Sequence, residues 1–349
     1  MPSIISEDHK SLESVSQGRD NNLDVIRMIA AVLVITSHSF ALRYGASGFD
    51  FEPLSVFTKD ALSMGGLAVG FFFLYGGFLI ARSAERHPRR LGFFKRRINR
   101  ILPELAAVVF TCAFILGPIL TEGSISAYFS SPQTYKYLLN ALLIPVHNLP
   151  GVFANNAYQY VVNGSLWTLP VEFVCYILVY AAFRTTKYQR RQYALLLVPC
   201  ACAFGLYGIA LYPAYSSVVR PVILYFIGMT CYVHRSSIVI KPLHAGIAFL
   251  LFLALCPLGL ADVAMLTCFP IIALWLAFYF EAPKPRKQCP DISYSLYLWG
   301  WPVGQILVGL MPGVSVPLLA VLTVALASLM SVGTMKAVSA IECQLRGTK

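Results

Sequence analysis

Charge is scarce in this sequence. Only 12% of its 349 residues are Asp, Glu, Lys or Arg, about half the share of a soluble domain, while 57% are hydrophobic and the mean hydropathy is +0.67. That is too much apolar surface for one water-soluble core, so a soluble fold is excluded. Also lacking is a basic, quickly apolar start: residues 1–22 are polar and mixed in charge, so they do not read as a cleavable signal peptide and are expected to form a disordered cytoplasmic tail. No tandem repeat or low-complexity tract interrupts the chain beyond that tail, so one membrane domain is expected over 23–336, with a second short tail at 337–349.

Metal-ligand spacing is missing as well. Of the nine cysteines, Cys112, Cys175, Cys200, Cys202, Cys231, Cys256 and Cys268 sit inside apolar runs and read as small core residues, with no metal expected. The formal net charge of +11 is not gathered on one domain; the positive residues fall in loops between apolar runs, which makes membrane topology, not nucleic acid, their explanation.

Long apolar runs are what the sequence has in abundance. A span needs roughly 20 mostly apolar residues. Candidates lie at 24–42, 61–81, 101–120, 165–183, 192–211, 219–234, 243–260, 263–281, 291–311 and 314–335, predicting an all-α, polytopic protein with about ten transmembrane helices. If the N-terminus is cytoplasmic, the inside loops hold Arg82, Arg86, Arg89, Arg90, Lys95, Arg96, Arg97 and Arg100, then Arg184, Lys187, Arg190 and Arg191, then Arg235 and Lys241, then Lys284, Arg286 and Lys287. Outside, only Arg43, Lys59, Lys136 and Arg220 remain. This asymmetry predicts both termini in the cytoplasm and a multi-pass protein of a bacterial inner or plasma membrane. Within 121–164, the apolar piece Tyr137 to Val146 is too short to cross and reads as an external interfacial or re-entrant segment beside an outer mouth.

Ionisable side chains within spans need a reason, because each costs about 2.5–3.5 kcal/mol at the bilayer centre on insertion scales. In NLDVIRMIAAVLVITSHSF, Asp24, Arg27 and His38 share one helix face: the eleven steps from Arg27 to His38 return to within about 20° of the same direction and rise roughly 16 Å. They form a polar stripe through most of the bilayer, or else Arg27 snorkels, Asp24 pairs with it and His38 is an interfacial histidine; spacing leaves both open. Gly65, Gly66, Gly70, Gly76 and Gly77 on the second span suit close helix packing or a break beside a ligand. Arg97 and Arg100 occupy successive turns at the start of the third helix, where phosphates bind well. NGSLWTLPVEFVCYILVY places Trp167 at the outer interface and Glu172 about two turns in, and DISYSLYLWGWPVGQ suits a pocket lining or plain packing.

Taken in order, these segments resemble acyltransferase family 3 of membrane acyltransferases, which move acetyl or related groups onto carbohydrates and other acceptors. The likeness runs from Asn22 to Val303. Its signatures are matched by Leu23, Asp24, Arg27, Ala30 and His38; by Phe72, Phe73, Gly77, Phe78, Leu79 and Ile80; by Phe94, Arg96, Arg97, Arg100 and Pro103; by Ser165, Leu166, Trp167, Leu169 and Glu172; and by Ile292, Ser293, Tyr294, Tyr297, Leu298, Trp299 and Pro302. Two positions depart: Gly76 stands where the family commonly has serine, and Gly300 where many members have a second histidine.

The resemblance implies a catalytic set of His38 as base, Arg27 orienting the donor or stabilising the oxyanion, and Glu172 orienting a histidine or the acceptor. Arg96, Arg97 and Arg100 would grip the phosphates of the donor, acetyl-CoA, from the cytoplasm, and Asp24, Trp167 and Tyr294 would contact substrate. The implied acceptor is a hydroxyl of a cell-surface polysaccharide or lipid-linked glycan, with membrane lipid around the protein, no nucleic acid, and the oligomeric state open. The competing reading is a transporter or flippase using the same intramembrane polar residues.

Overall fold

The computed structural model describes residues 10–18, 21–86, 89–184, 189, 192, 216–281 and 291–347. The expected span 192–211 and the basic residues Lys187, Arg190, Arg191, Lys284, Arg286 and Lys287 lie outside them or are side chains not described. Among the described residues the chain is helical without strands, save an isolated bridge between Thr121 and Val152.

The long helices are α1 (Leu23–Tyr44), α2 (Met64–Arg86), α3 (Arg90–Thr111), α4 (Thr168–Phe183), α5 (Ser216–Val233), α6 (Pro242–Leu255), α7 (Ala261–Phe278), α8 (Ser293–Leu310) and α9 (Val316–Gly347). A helix overlaps each expected span that falls among the described residues. Among the described residues, five stretches are long and apolar enough to cross a membrane: Leu23–Tyr44, Met64–Arg86, Leu91–Leu120, Ala261–Phe278 and Val316–Gln344. The protein is a multi-pass membrane protein. α3 continues to Leu120 through a wide π-turn at Cys112–Leu116, just ahead of Pro118, whose missing N–H cannot serve a regular turn. α9 runs past residue 336, the expected end of the membrane domain, to Gly347.

The chain divides into two compact units. The first gathers the described residues of Met1–Ile26, Gly70–Arg86 and Cys175–Gln288. Here α2 and α5 meet backbone to backbone, because a Cβ at Gly77 would strike the Tyr225 carbonyl and one at Gly228 the Leu74 carbonyl; the second-span glycine serves packing. Residues 10–18, read from sequence as tail, carry a helical turn at Leu12–Val15. Leu12 is fully buried, its N–H donates to the Ile238 carbonyl, and Arg82 reaches the Ser16 carbonyl. Buried Leu12, the Leu12 and Glu13 N–H groups bonded to the Ile238 and Arg235 carbonyls, and the Glu13–Arg235 ion pair dock the turn.

The second unit comprises the described residues of Arg27–Val69, His87–Val174 and Cys289–Lys349. It holds most of α1, with α3, α8 and α9. Between α1 and α2, a 3-10 turn at Ala46–Phe51 and a short helix at Pro53–Phe57 fold over Glu52, which is fully buried. Its carboxylate accepts from the Ser37 hydroxyl at 2.5 Å and from the Met64 N–H, tying this excursion to both flanking helices.

Residues 121–164 contain the helices Ile125–Ser130 and Pro132–Lys136 and a 3-10 turn at Tyr137–Leu142, each far too short to span a bilayer.

Candidate active site

α8 is the spine of the candidate site. The Asp291 carboxylate starts it by accepting from the Ser293 N–H at 3.0 Å and the Ser293 hydroxyl at 2.5 Å. The same carboxylate lies 3.5 Å from the Arg27 guanidinium, with side chains only 25% and 17% exposed. One turn on, the Tyr294 hydroxyl donates to the Ile101 carbonyl of α3 at 3.1 Å. Glu104 on α3 has Ser295, Arg100 and Asp291 as its polar neighbours, and Glu172 on α4 lies within electrostatic reach of Tyr294 and Tyr297. Arg27, Arg100, Glu172 and Tyr294 are thus brought together around the first turns of α8. Arg97 is half-buried, while Arg96 and Asp24 are exposed.

His38 sits farther along. Its ring meets Trp301 of α8 edge to face, with centroids 4.7 Å apart and planes at 74°. The imidazole is half-buried; its Nδ1 is enclosed and has no hydrogen-bond partner among the described residues.

α1 and α8 approach closely at this level because α8 carries glycines at 300 and 304. An added Cβ would lie 2.6 Å from Cγ1 of Ile35 at Gly300 and 2.5 Å from Cδ1 of Leu42 at Gly304. The small-xxx-small spacing lets α1 side chains fill sockets on α8. Position 300, where many members of the resembling family have histidine, is here the floor of the Ile35 socket.

A non-helical stretch completes the site. Asn156 donates to the Gln305 carbonyl at 2.9 Å and to its side-chain oxygen at 2.7 Å, and Gln305 donates to the carbonyls of Tyr158 and Val161, each at 2.8 Å. Trp301 donates to the Val161 carbonyl at 3.1 Å, Asn163 to the Leu298 carbonyl at 2.9 Å, and Tyr297 to the Ser165 carbonyl at 2.6 Å. Thr168 and Tyr297 share hydroxyls at 2.8 Å. Residues 156–168 therefore run alongside α8 in the direction opposite to it, from Gln305 to Tyr297, roughly 12 Å of helix axis. Such backbone is tolerated at membrane depth only where protein or a wet cavity satisfies it, and α8 side chains do that here.

Trp167 immediately precedes Thr168, whose hydroxyl meets that of Tyr297 on the second turn of α8. The chain makes that traverse through a series of bends and a turn at 164–167, with Tyr160 in the left-handed region at φ 61°.

A family model described as an acyltransferase domain matches residues 20–335. The chain belongs to the acyltransferase 3 family. Over 306 residues this acyltransferase is 28% identical to an O-acetyl transferase of Shigella phage Sf6, covering 83% of this chain and 86% of that protein. Over 197 residues it is 27% identical to nodulation protein 10 of Rhizobium leguminosarum bv. viciae, covering 53% of this chain and 50% of the other. No solved structure matches it.

The candidate site also holds residues to which sequence reasoning gave no individual role. Asp291 had a signal, an acid two residues before serine at the head of DISYS, which is a helix-start pattern. Glu104 follows Arg100 by four residues, one helical turn. Trp301 and Gln305 had none beyond lying in or next to an aromatic run, because their partners are backbone carbonyls far off in the sequence.

Proposed function

We propose that this acyltransferase moves an acetyl group from acetyl-CoA to a hydroxyl of a cell-envelope glycan, with His38 as the general base. The observation that carries the reading is His38 itself: an ionisable ring within an apolar helix, one nitrogen enclosed and the ring still partly open, in a chain alike over most of its length to an O-acetyl transferase. With Nδ1 shut away, Nε2 is the nitrogen that takes the acceptor's proton. As the acceptor oxygen forms its bond to the thioester carbonyl carbon, the C–S bond breaks. Coenzyme A leaves as thiolate and collects the proton from the imidazolium.

Arg27, held by Asp291, supplies positive charge to the donor or the oxyanion. α3 begins at Arg90, ahead of the start expected from the sequence, so Arg96, Arg97 and Arg100 lie on its second and third turns, where bidentate guanidinium contacts, and not the helix end, suit the diphosphate of coenzyme A. Glu172, Tyr294 and Trp167 flank the path between the two, and Asp24 is a further contact for substrate. In this reading both termini are cytoplasmic, about ten helices cross a bacterial inner membrane, the donor enters from inside and the acceptor is met at the outer side, as the loop charges favour.

The test is acetyl analysis of surface polysaccharide from cells expressing wild type, His38→Ala or neither. Acetylation with wild type alone is expected; equal acetylation by His38→Ala removes the base assignment, and no difference among the three removes the acetyl–glycan pairing.

A further inference from the structure

A catalytic imidazole is usually oriented through its second nitrogen, by a hydrogen bond to a carboxylate or carbonyl. The Nδ1 of His38 has no such partner among the described residues. What the ring does have is Trp301 at 4.7 Å, edge to face. The indole is immobilised on three further sides: its N–H donates to the Val161 carbonyl at 3.1 Å, and Tyr158 packs perpendicular to it at 5.0 Å. On the third, Gly164 leaves room for it, since a Cβ there would lie 2.9 Å from indole Cε2, Cζ2 and Cη2. Trp301 is only 3% exposed.

We propose that Trp301 is a positioning residue for transfer: it fixes the tilt of the His38 ring in place of a hydrogen-bonded orienter, and the non-helical stretch containing Val161 and Gly164 fixes Trp301. The inference rests on His38 being the base. Its specific consequence is that a methyl group at residue 164, remote in sequence from both helices, misaligns the base through the indole.

Full-length enzyme in isolated membranes is assayed with radiolabelled acetyl-CoA and the host's own envelope glycan, and folded protein is quantified by its thermal midpoint in detergent. Trp301→Leu is expected to lower kcat about tenfold or more with the KM for acetyl-CoA within about twofold, as a small misplacement of a catalytic group would. Trp301→Phe, which keeps an aromatic edge, recovers at least about a third of the rate. Gly164→Ala falls like Trp301→Leu, and Gly164→Ala combined with Trp301→Phe returns to the Trp301→Phe level, because phenylalanine lacks the outer ring atoms that the methyl would strike. A wild-type rate for Trp301→Leu beside an inactive His38→Ala overturns the proposal. So does a double variant as slow as Gly164→Ala at an unchanged thermal midpoint. If Trp301→Leu does not fold, the two Gly164 variants decide alone. His38→Ala run in parallel at the wild-type rate instead removes the base assignment on which the inference stands.

Discussion

The Asp291 carboxylate serves two partners at once, the Arg27 guanidinium 3.5 Å away and the first turn of α8 through Ser293. The two tasks are separable by substitution. Asp291→Asn keeps an acceptor for the Ser293 N–H but withdraws the charge opposite Arg27. Transfer is expected to fall about tenfold while stability changes by about 1 kcal/mol, because the pair is partly solvated. Asp291→Ala loses the helix-start acceptor too and is destabilised by about 1 kcal/mol more. Transfer rates and thermal midpoints of both variants check this; undiminished transfer by Asp291→Asn would show that Arg27 acts without its anion.

Restoring a side chain at position 300 is expected to harm the fold. Ile35 fills the space a Cβ would take, so Gly300→Ala destabilises by about 1–3 kcal/mol through overpacking, and Gly300→His by more. Thermal midpoints in detergent measure the order wild type, alanine, histidine. A histidine variant as stable as wild type would mean that α1 and α8 can part at this level.

Glu52 gives the protein a pH response outside its membrane-spanning helices. Burial raises its carboxyl above the ordinary 4.5, opposed by hydrogen bonds from Ser37 and the Met64 N–H. A folded-state value above the unfolded one means the contribution to stability is full below the ordinary value and is lost as pH rises through the raised one. Acidification from neutral pH down to the ordinary carboxyl value should therefore raise the wild-type thermal midpoint relative to Glu52→Gln, which carries no titrating group there. Parallel curves for the two proteins would contradict it.

The arginines of α3 are expected to act on donor affinity. Arg97→Ala and Arg100→Ala should each raise the KM for acetyl-CoA about tenfold, the value of one charge-assisted phosphate contact, with smaller effects on kcat. Arg96 and Arg100 are exposed and Arg97 half-buried, so the contacts of the first two should weaken most with added salt. Unchanged KM in all three would move the donor site elsewhere.

Hydropathy and period read the helices well, because a helix in lipid must satisfy its own backbone and leaves a long apolar run as its trace. The stripe from Arg27 to His38 and the arginines of α3 are legible for the same reason: a charge in such a run stands out. The stretch 156–168 is not. Its polar residues look like an ordinary loop, and its partners, Gln305, Trp301, Leu298 and Tyr297, are over a hundred residues away. Gly300 is legible only as a departure from a family pattern, whereas its physical meaning needs Ile35 in place.

Ile35 and Leu42, two helical turns apart, engage Gly300 and Gly304 like teeth on a rack. Sliding α1 by one residue along α8, or turning it by about a sixth of a revolution, would drive both side chains against the ridge between the sockets. Whatever opens to admit donor and acceptor must therefore carry α1 and α8 as one rigid bar at this level.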